Sequence, residues 1–486
     1  MYTNLGSALL DLNKKFEAVE MYNTALQLDN ENADAAFNLA MVHHDEGEER
    51  RAIELYKLCL RSAPDRIDAW MNLASCLHAI GDIDKSIFAY SKALAYDNAL
   101  ETQENSTAAD AISSGSEGCG SIISVRGKVH EYLGRAILRK RDNEKAASSS
   151  SELVGREAAL QAMTDDALGH LEAAVRLDPD NADVAKHMIA SNSNSPQLQI
   201  DAVASTEYVR KLFDDYSSDF ESSLAGLDYK VPALMVKELL SHDQSGNGKW
   251  GMVVDLGCGT GLLGSLLRDA LLAIGTENRP STLSVDGDDN DAVTVVAGVD
   301  LSLKMLEVAE KKGVYDYLAE GDVVEFVNAL AAGHESDNNN MNRLRLVSPA
   351  AGSASGSSTD TKTMTKTMSI LHSLQDSRVL YAAADVLVYI GDLTALFAAL
   401  GEAMMQGDTF IFTVENADEN AQRSHASKEN GWILQVSGRY AHHVQYIRRL
   451  AKKNGMDLVH AKRIVPRKEL NEDIKGYMCI LQAASE

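Results

Sequence analysis

Apolar and small residues recur over the first hundred positions with two periods at once. Within each segment they return at helical spacing, and the segments themselves return at a shift of 34. Leu5, Leu39 and Leu73 fall in register, as do Gly6, Ala40 and Ala74. Ala18, Ala52 and Ser86 follow, then Tyr22, Tyr56 and Tyr90, then Ala25, Cys59 and Ala93. Large residues alternating with small ones at helical spacing let paired helices approach closely. The pattern predicts three helix pairs over residues 1–100. A fourth, interrupted pair is expected over 128–190, with Tyr132-Leu133-Gly134 in its first helix, Ala167, Leu171 and Ala174 in its second, and a short capping helix at 182–190. The stretch 101–127 is rich in Ser, Gly and Ala and reads as a flexible loop.

Residues 191–204 form a linker, after which the pattern changes. Tyr208, Leu212, Phe213, Tyr216 and Phe220 keep helical spacing. Short apolar strands then alternate with helices: Trp250 to Leu256, Thr294 to Val299, Val379 to Asp385 and Thr409 to Glu415, closing with Asp457 to Val465 and Gly476 to Leu481. This alternation predicts an α/β, Rossmann-like domain over 205–486 with a seven-stranded sheet, preceded by an all-α repeat array. Two polar stretches, 275–292 and 333–368, break the pattern and read as solvated insertions, the second one disordered.

Length and charge narrow the function classes. A chain of 486 residues exceeds one hydrophobic core. A net charge of −25, from 46 basic and 71 acidic residues, opposes non-specific binding to nucleic acid or an anionic membrane. The five cysteines, at 59, 76, 119, 258 and 479, show no metal-ligand spacing and read as reduced thiols of a cytoplasmic protein. No apolar run reaches the roughly 20 residues that span a bilayer. The chain opens inside a helical pattern, so a truncated N-terminus is expected, and an upstream targeting segment stays open.

The chemistry concentrates after the first strand. Asp255 leads into Gly257, Gly259 and Gly261 and then an apolar helix. Glycines allow positive φ and close backbone approach, and a helix start offers N–H groups to a carboxylate. Gly259 to Gly264 also fits GxGxxG, the dinucleotide fingerprint. Asp255 weighs against that reading, since a carboxylate there repels a pyrophosphate and favours the ammonium of a methionine moiety. The expected cofactor is therefore S-adenosylmethionine. Asp300, with Leu301, ends the next strand, where a carboxylate can accept both ribose hydroxyls. Asp322 and Val323 are placed for the adenine amino group and ring, and helix capping accounts for Asp322 nearly as well. Tyr216 is a candidate to lay its ring over the sulfonium.

The 34-residue period resembles the tetratricopeptide repeat. Asn4, Asn38 and Asn72 recur at one position on the expected concave face, where asparagines can hydrogen-bond an extended peptide, and asparagine is also simply common there. Residues 205–481 resemble the predicted TPR-repeat-containing methyltransferases, within the class I S-adenosylmethionine-dependent superfamily. The stretches that carry this are Tyr208 to Tyr216, Asp255 to Gly261, Ala383 to Leu393, Ser437-Gly438-Arg439-Tyr440-Ala441-His442 and Arg467-Lys468-Glu469. The chain departs at Val379, where family members usually carry an acidic residue. The resemblance implies methyl transfer with no settled acceptor, which is a small molecule or a protein. Candidate catalytic residues are Asp385 and Tyr389 near the sulfonium, His442 as a base, and Arg439 as an anchor for an acidic group. The alternative is a scaffold that binds a protein or peptide through its repeats and keeps an inactive, cofactor-binding domain.

Overall fold

A computed structural model describes residues 1–108, 119–148, 150–193, 204–217, 220–221, 224, 227–242, 250–277, 294–332, 344–348, 371–372, 378–418, 430–469 and 472–484. The chain divides into two compact units, Met1–Asn192 and Ser193–Glu486.

The first unit is a helical array: α1 (Tyr2–Asp11), α2 (Lys15–Leu28), α3 (Ala33–Asp45), α4 (Glu49–Ser62), α5 (Ile67–Ala79), α6 (Ile83–Ala108), α7 (Cys119–Ala147), α8 (Ser150–Leu177) and α9 (Asp183–Asn192). The register residues form its core. Tyr22 and Tyr56 are fully buried, and so are Ala40 and Ala74. At Gly6 a Cβ would come within 2.6 Å of the Tyr22 ring, so the small position of the first helix exists to seat the tyrosine of the second. Each hairpin turns through a left-handed residue, again at a shift of 34: Asn13 (φ 58°), Gly47 (φ 71°) and Gly81 (φ 81°).

The expected loop at 101–127 is corrected. Helix α6 runs on to Ala108 and α7 starts at Cys119, so only 109–118 fall outside the described residues. Alanine and serine tolerate a helix when its ends are paired, and composition alone did not show this extension. Helices α7 and α8 pair along their length, with Gly134 2.8 Å from Leu171 for an added Cβ.

The second unit is a mixed α/β domain. Its strands are β1 (Met252–Leu256), β2 (Val295–Asp300), β3 (Tyr317–Glu320), β4 (Arg345–Ser348), β5 (Val379–Ala383), β6 (Thr409–Asn416), β7 (Trp432–Leu434), β8 (Tyr440–His442), β9 (Met456–Ile464), β10 (Lys468–Glu469), β11 (Glu472–Asp473) and β12 (Gly476–Ala483). The main sheet has ten strands rather than the expected seven, in the order β4-β3-β2-β1-β5-β6-β12-β9, with β8 on β6 and β7 on β8. The additions are β4, which pairs antiparallel with β3, and the β7–β8 hairpin. Strand β4 comes from within 333–368, so that stretch is not wholly the disordered insertion its composition suggested; its flanks, like 278–292, lie outside the described residues.

Strands β1, β2, β3, β5 and β6 are parallel, and β12 runs antiparallel between β6 and β9. The chain builds β1, β2 and β3 outward in one direction, then returns to lay β5 on the other side of β1. The connections part at this switch point, which leaves a crevice at the carboxyl ends of the strands. Among the described residues no helix is long and apolar enough to cross a membrane.

Candidate functional site

A cavity of about 350 Å³ opens at that switch point. Three successive strand ends contribute to it: Gly257 and Gly259 after β1, Asp300 and Leu301 after β2, and Asp322 and Val323 after β3. From the other arm come Asp385, Val386, Tyr389, Arg439 and Arg467.

The glycine loop is held from within. The amides of Gly257 and Cys258 both donate to Val299 O, at 2.8 and 3.0 Å, and Gly261 N donates to Cys258 O at 2.9 Å. Gly257 has φ 69° and a Cβ there would strike Val386 at 2.5 Å, so the position demands glycine twice over. Gly259 differs. Its φ is 53°, but an added Cβ would find only Phe220 Cε1, at 3.9 Å, so bare backbone faces open space.

Asp300 is fixed by backbone alone: Gly259 N donates to Oδ2 and Ser302 N to Oδ1, each at 2.9 Å. Burial lifts its pKa to about 6 against the pull of those amides. Asp322 caps the helix Val323–Ala332, with Val324 N (2.8 Å) and Glu325 N (3.3 Å) both donating to Oδ1. The capping role is therefore observed, and the same residue also lines the cavity. Burial raises its pKa as well.

Asp255 is not on the cavity wall. Its carboxylate is 1% exposed and accepts a 2.7 Å hydrogen bond from the Tyr315 hydroxyl. Burial raises its pKa to about 7, partly offset by that bond. Tyr315 lies in a slot lined by small residues. A Cβ would come within 3.0 Å of its ring at Gly261, 2.3 Å of its hydroxyl at Gly264 and 2.9 Å of its ring at Gly298. The third glycine of the GxGxxG match thus serves the tyrosine, and Gly261 packs on it as well.

On the second arm, Asp385 follows β5 with φ 56°, a left-handed conformation rare outside glycine, Asn and Asp. Thr413 Oγ1 donates to Asp385 Oδ1 at 3.1 Å and accepts from its amide at 2.9 Å. Arg467, 3% exposed, donates to Asp385 Oδ2 at 3.1 Å and also to Glu415, which accepts from Gln435 in turn. The Arg439 Nε–H donates to the Tyr389 hydroxyl at 3.2 Å, and its guanidinium lies 5.8 Å from that ring's centroid. Phe213 meets the Tyr389 ring edge-on at 5.0 Å.

His442 is corrected as a candidate base. It is fully buried in β8, and its Nε2–H points at two backbone carbonyls, Ile390 O and Gly391 O, each 3.0 Å away. Burial holds its pKa near 4, so the ring is neutral and props the turn that carries Ile390 into the cavity wall. Tyr216 ends the helix Thr206–Tyr216, but its side chain lies outside the described residues. The preceding turns of that helix cover the cavity with Thr206, Val209 and Phe213. The segment is fastened by Ala204 N to Tyr440 Oη (2.9 Å), Ser302 Oγ to Asp214 (2.6 Å) and Lys468 N to Leu227 O (2.9 Å).

The sequence reading did not single out Arg467 or Tyr315 as functional residues. Arg467 lies in one of the family-like stretches, and an arginine three residues past β9 carries no signal of burial. Tyr315 had no signal at all, since its partner lies 60 residues away.

Models of the tetratricopeptide repeat match residues 3–67 and 67–100, so the first hundred positions are repeats of this kind. No curated protein matches the chain. Among solved structures, magnesium protoporphyrin IX methyltransferase (ChlM) from Synechocystis PCC 6803 with bound SAH is 15% identical, over 58% of this chain and 100% of that one, with a TM-score of 0.33. YrrB, a TPR protein with an unusual peptide-binding site, is 16% identical over 43% of this chain and 84% of that one, with a TM-score of 0.29. MamA is 16% identical over 44% and 96%, with a TM-score of 0.28. Likenesses this distant do not place the chain in a family.

Proposed function

We propose that the second unit is an S-adenosylmethionine-dependent methyltransferase and that the repeats recruit a protein partner or substrate. The observation that carries this reading is the meeting of three strand ends, with Asp300 at the second, on one cavity. Its volume of about 350 Å³ suits a cofactor-sized ligand. The exposed backbone at Gly259 fits a ligand that packs against the loop.

In this reading Asp300 accepts the ribose hydroxyls, Leu301 packs beside the sugar, and Asp322 and Val323 meet the adenine. Gly257 and Gly261 shape the loop. Asp255 acts through Tyr315 as a positioning residue. When bound, the cofactor supplies a methyl group on a cationic sulfur, open to in-line displacement. The chain's task is then alignment and exclusion of water. Phe213, Phe220 and Tyr229 supply the apolar cover. Asp385 offers negative charge near the reacting end, tempered by Arg467, and Tyr389 with Arg439 faces the acceptor. Arg439 is the anchor for an acidic acceptor group. The acceptor itself is a small molecule or a protein.

Calorimetry with S-adenosylmethionine tests the reading. Binding at one site is expected, lost in Asp300→Ala; binding that survives this substitution defeats the assignment. One observation favours the scaffold alternative, since His442 is buried and Asp385 is ion-paired, so neither is a ready base. Labelled-methyl transfer into protein and small-molecule fractions of an extract separates the two, and label in neither fraction favours the scaffold.

A further inference from the structure

The repeat array brings three side chains of different donor chemistry together at one point. His44 ends α3, Glu49 begins α4 and Cys76 lies in α5. One donor atom from each lies within 4.8 Å of the others, and His44 Nε2 is 3.9 Å from Glu49 Oε2. That carboxylate oxygen is buried with no hydrogen-bond partner. The thiol is fully buried, while His44 and Glu49 keep 28% and 24% of their side chains exposed, so an ion has a way in.

A lone buried carboxylate oxygen is costly unless something positive meets it. His44 Nε2, at 3.9 Å, is within ion-pair range but beyond a hydrogen bond, while the neighbouring Glu48 takes His43 at 2.6 Å and Arg51 at 2.8 Å. By contrast, the other His-rich cluster, Glu238 with His242 and His460, already holds the ammonium of Lys462 at 2.5 Å from Glu238.

We propose that His44, Glu49 and Cys76 form a zinc site joining the second and third repeats. One nitrogen, one oxygen and one sulfur donor suit Zn²⁺ over harder cations. Tetrahedral zinc holds its donors at about 2.0–2.3 Å, so the three must draw together by about 1 Å, which rotation of the two partly exposed side chains supplies. Three protein ligands leave the fourth position open to water or to a group on a bound partner. Asn72 stands one turn before Cys76 on the same helix, so the ion would sit beside the face expected to hold a peptide. Burial, and then the Glu49 carboxylate, push the Cys76 thiol far above its ordinary value. Zinc replaces that proton: the Cys76 S–H bond breaks, an S–Zn bond forms, and the proton goes to solvent.

The test is a Co²⁺ titration of the full chain, followed by the thiolate-to-cobalt charge-transfer band. We expect one equivalent bound with that band, displaced by Zn²⁺ and absent in Cys76→Ser. His44→Gln and Glu49→Gln, at partly exposed positions that leave the core intact, keep the thiol and are each expected to weaken binding at least tenfold. His460→Gln leaves the band unchanged. No band in the wild type, a band that survives in Cys76→Ser, or unchanged affinity in both His44→Gln and Glu49→Gln overturns the site.

Discussion

Asp300 and Asp385 reach the same cavity from the two sides of β1, one from β2 and the other after β5, yet they are held by opposite means. Asp300 is gripped by two backbone amides. Among the described residues no counter-ion sits on it, and burial makes it reluctant to ionise. Asp385 is gripped by side chains, the Arg467 guanidinium and the Thr413 hydroxyl, and Arg467 ties it onward to Glu415. A carboxylate on backbone donors keeps acceptor capacity for neutral hydroxyls and is indifferent to changes in nearby side chains. A carboxylate on a shared arginine is close to neutralised, and any change to one member of the set reaches the others. The two arms therefore respond differently to substitution.

The largest effect is expected at Arg467. Arg467→Leu leaves the buried Glu415 and the part-buried Asp385 without their cation and should cost about 3–5 kcal/mol in urea unfolding, recovered in part by adding Glu415→Gln. Next come the paired loop glycines. Gly257→Ala meets both the left-handed backbone cost and the Val386 side chain, and should lose about 2–4 kcal/mol of stability. Gly259→Ala should lose only about 1–2 kcal/mol, yet abolish cofactor binding, because its methyl enters the cavity. If both variants lose the same stability, the distinction between the packed Gly257 and the open Gly259 is wrong. On the backbone-held arm, Asp300→Asn should leave unfolding within about 1 kcal/mol of wild type while weakening cofactor affinity tenfold or more, a difference of about 1.4 kcal/mol. The last effect is a pH dependence. Asp255 has a folded pKa raised from 3.8 to about 7, so between those values the folded chain keeps a proton that the unfolded chain has released. Its stabilising contribution is present at low pH and is lost as pH rises toward 7, with a slope of at most about 1.4 kcal/mol per unit. Asp255→Asn should flatten that slope in unfolding curves measured from pH 4 to 7.

The repeats were the most legible part of the sequence, because a period of 34 is visible without any partner and the tyrosine-against-small-residue packing follows from it. The strand ends were legible for a similar reason. Gly257, Gly259, Asp300, Leu301, Asp322 and Val323 are each local to a strand-to-helix turn, and all line the cavity. What the sequence concealed was the direction in which a side chain leaves a fully buried strand. Strand β1 is buried at every position, and so is β8, so no alternation marks which face Asp255 or His442 takes. Asp255 turned toward Tyr315 and His442 toward backbone carbonyls. The count of strands was short because β4 is only four residues long inside a stretch of loop-like composition, and β7 and β8 have three residues each. Arg467 was legible as a residue but not as a partner, since its ions come from positions 52 and 82 residues earlier.

The bond from Lys468 N to Leu227 O has a consequence for synthesis. The cover of the cavity is translated well before the strands that fasten it, and 468 − 227 leaves 241 residues still to be made. At about 5–20 residues per second that is a wait of roughly 12–50 s on the ribosome. Phe213, Phe220 and Leu227 leave the exit tunnel with no sheet to lie on until those strands are made.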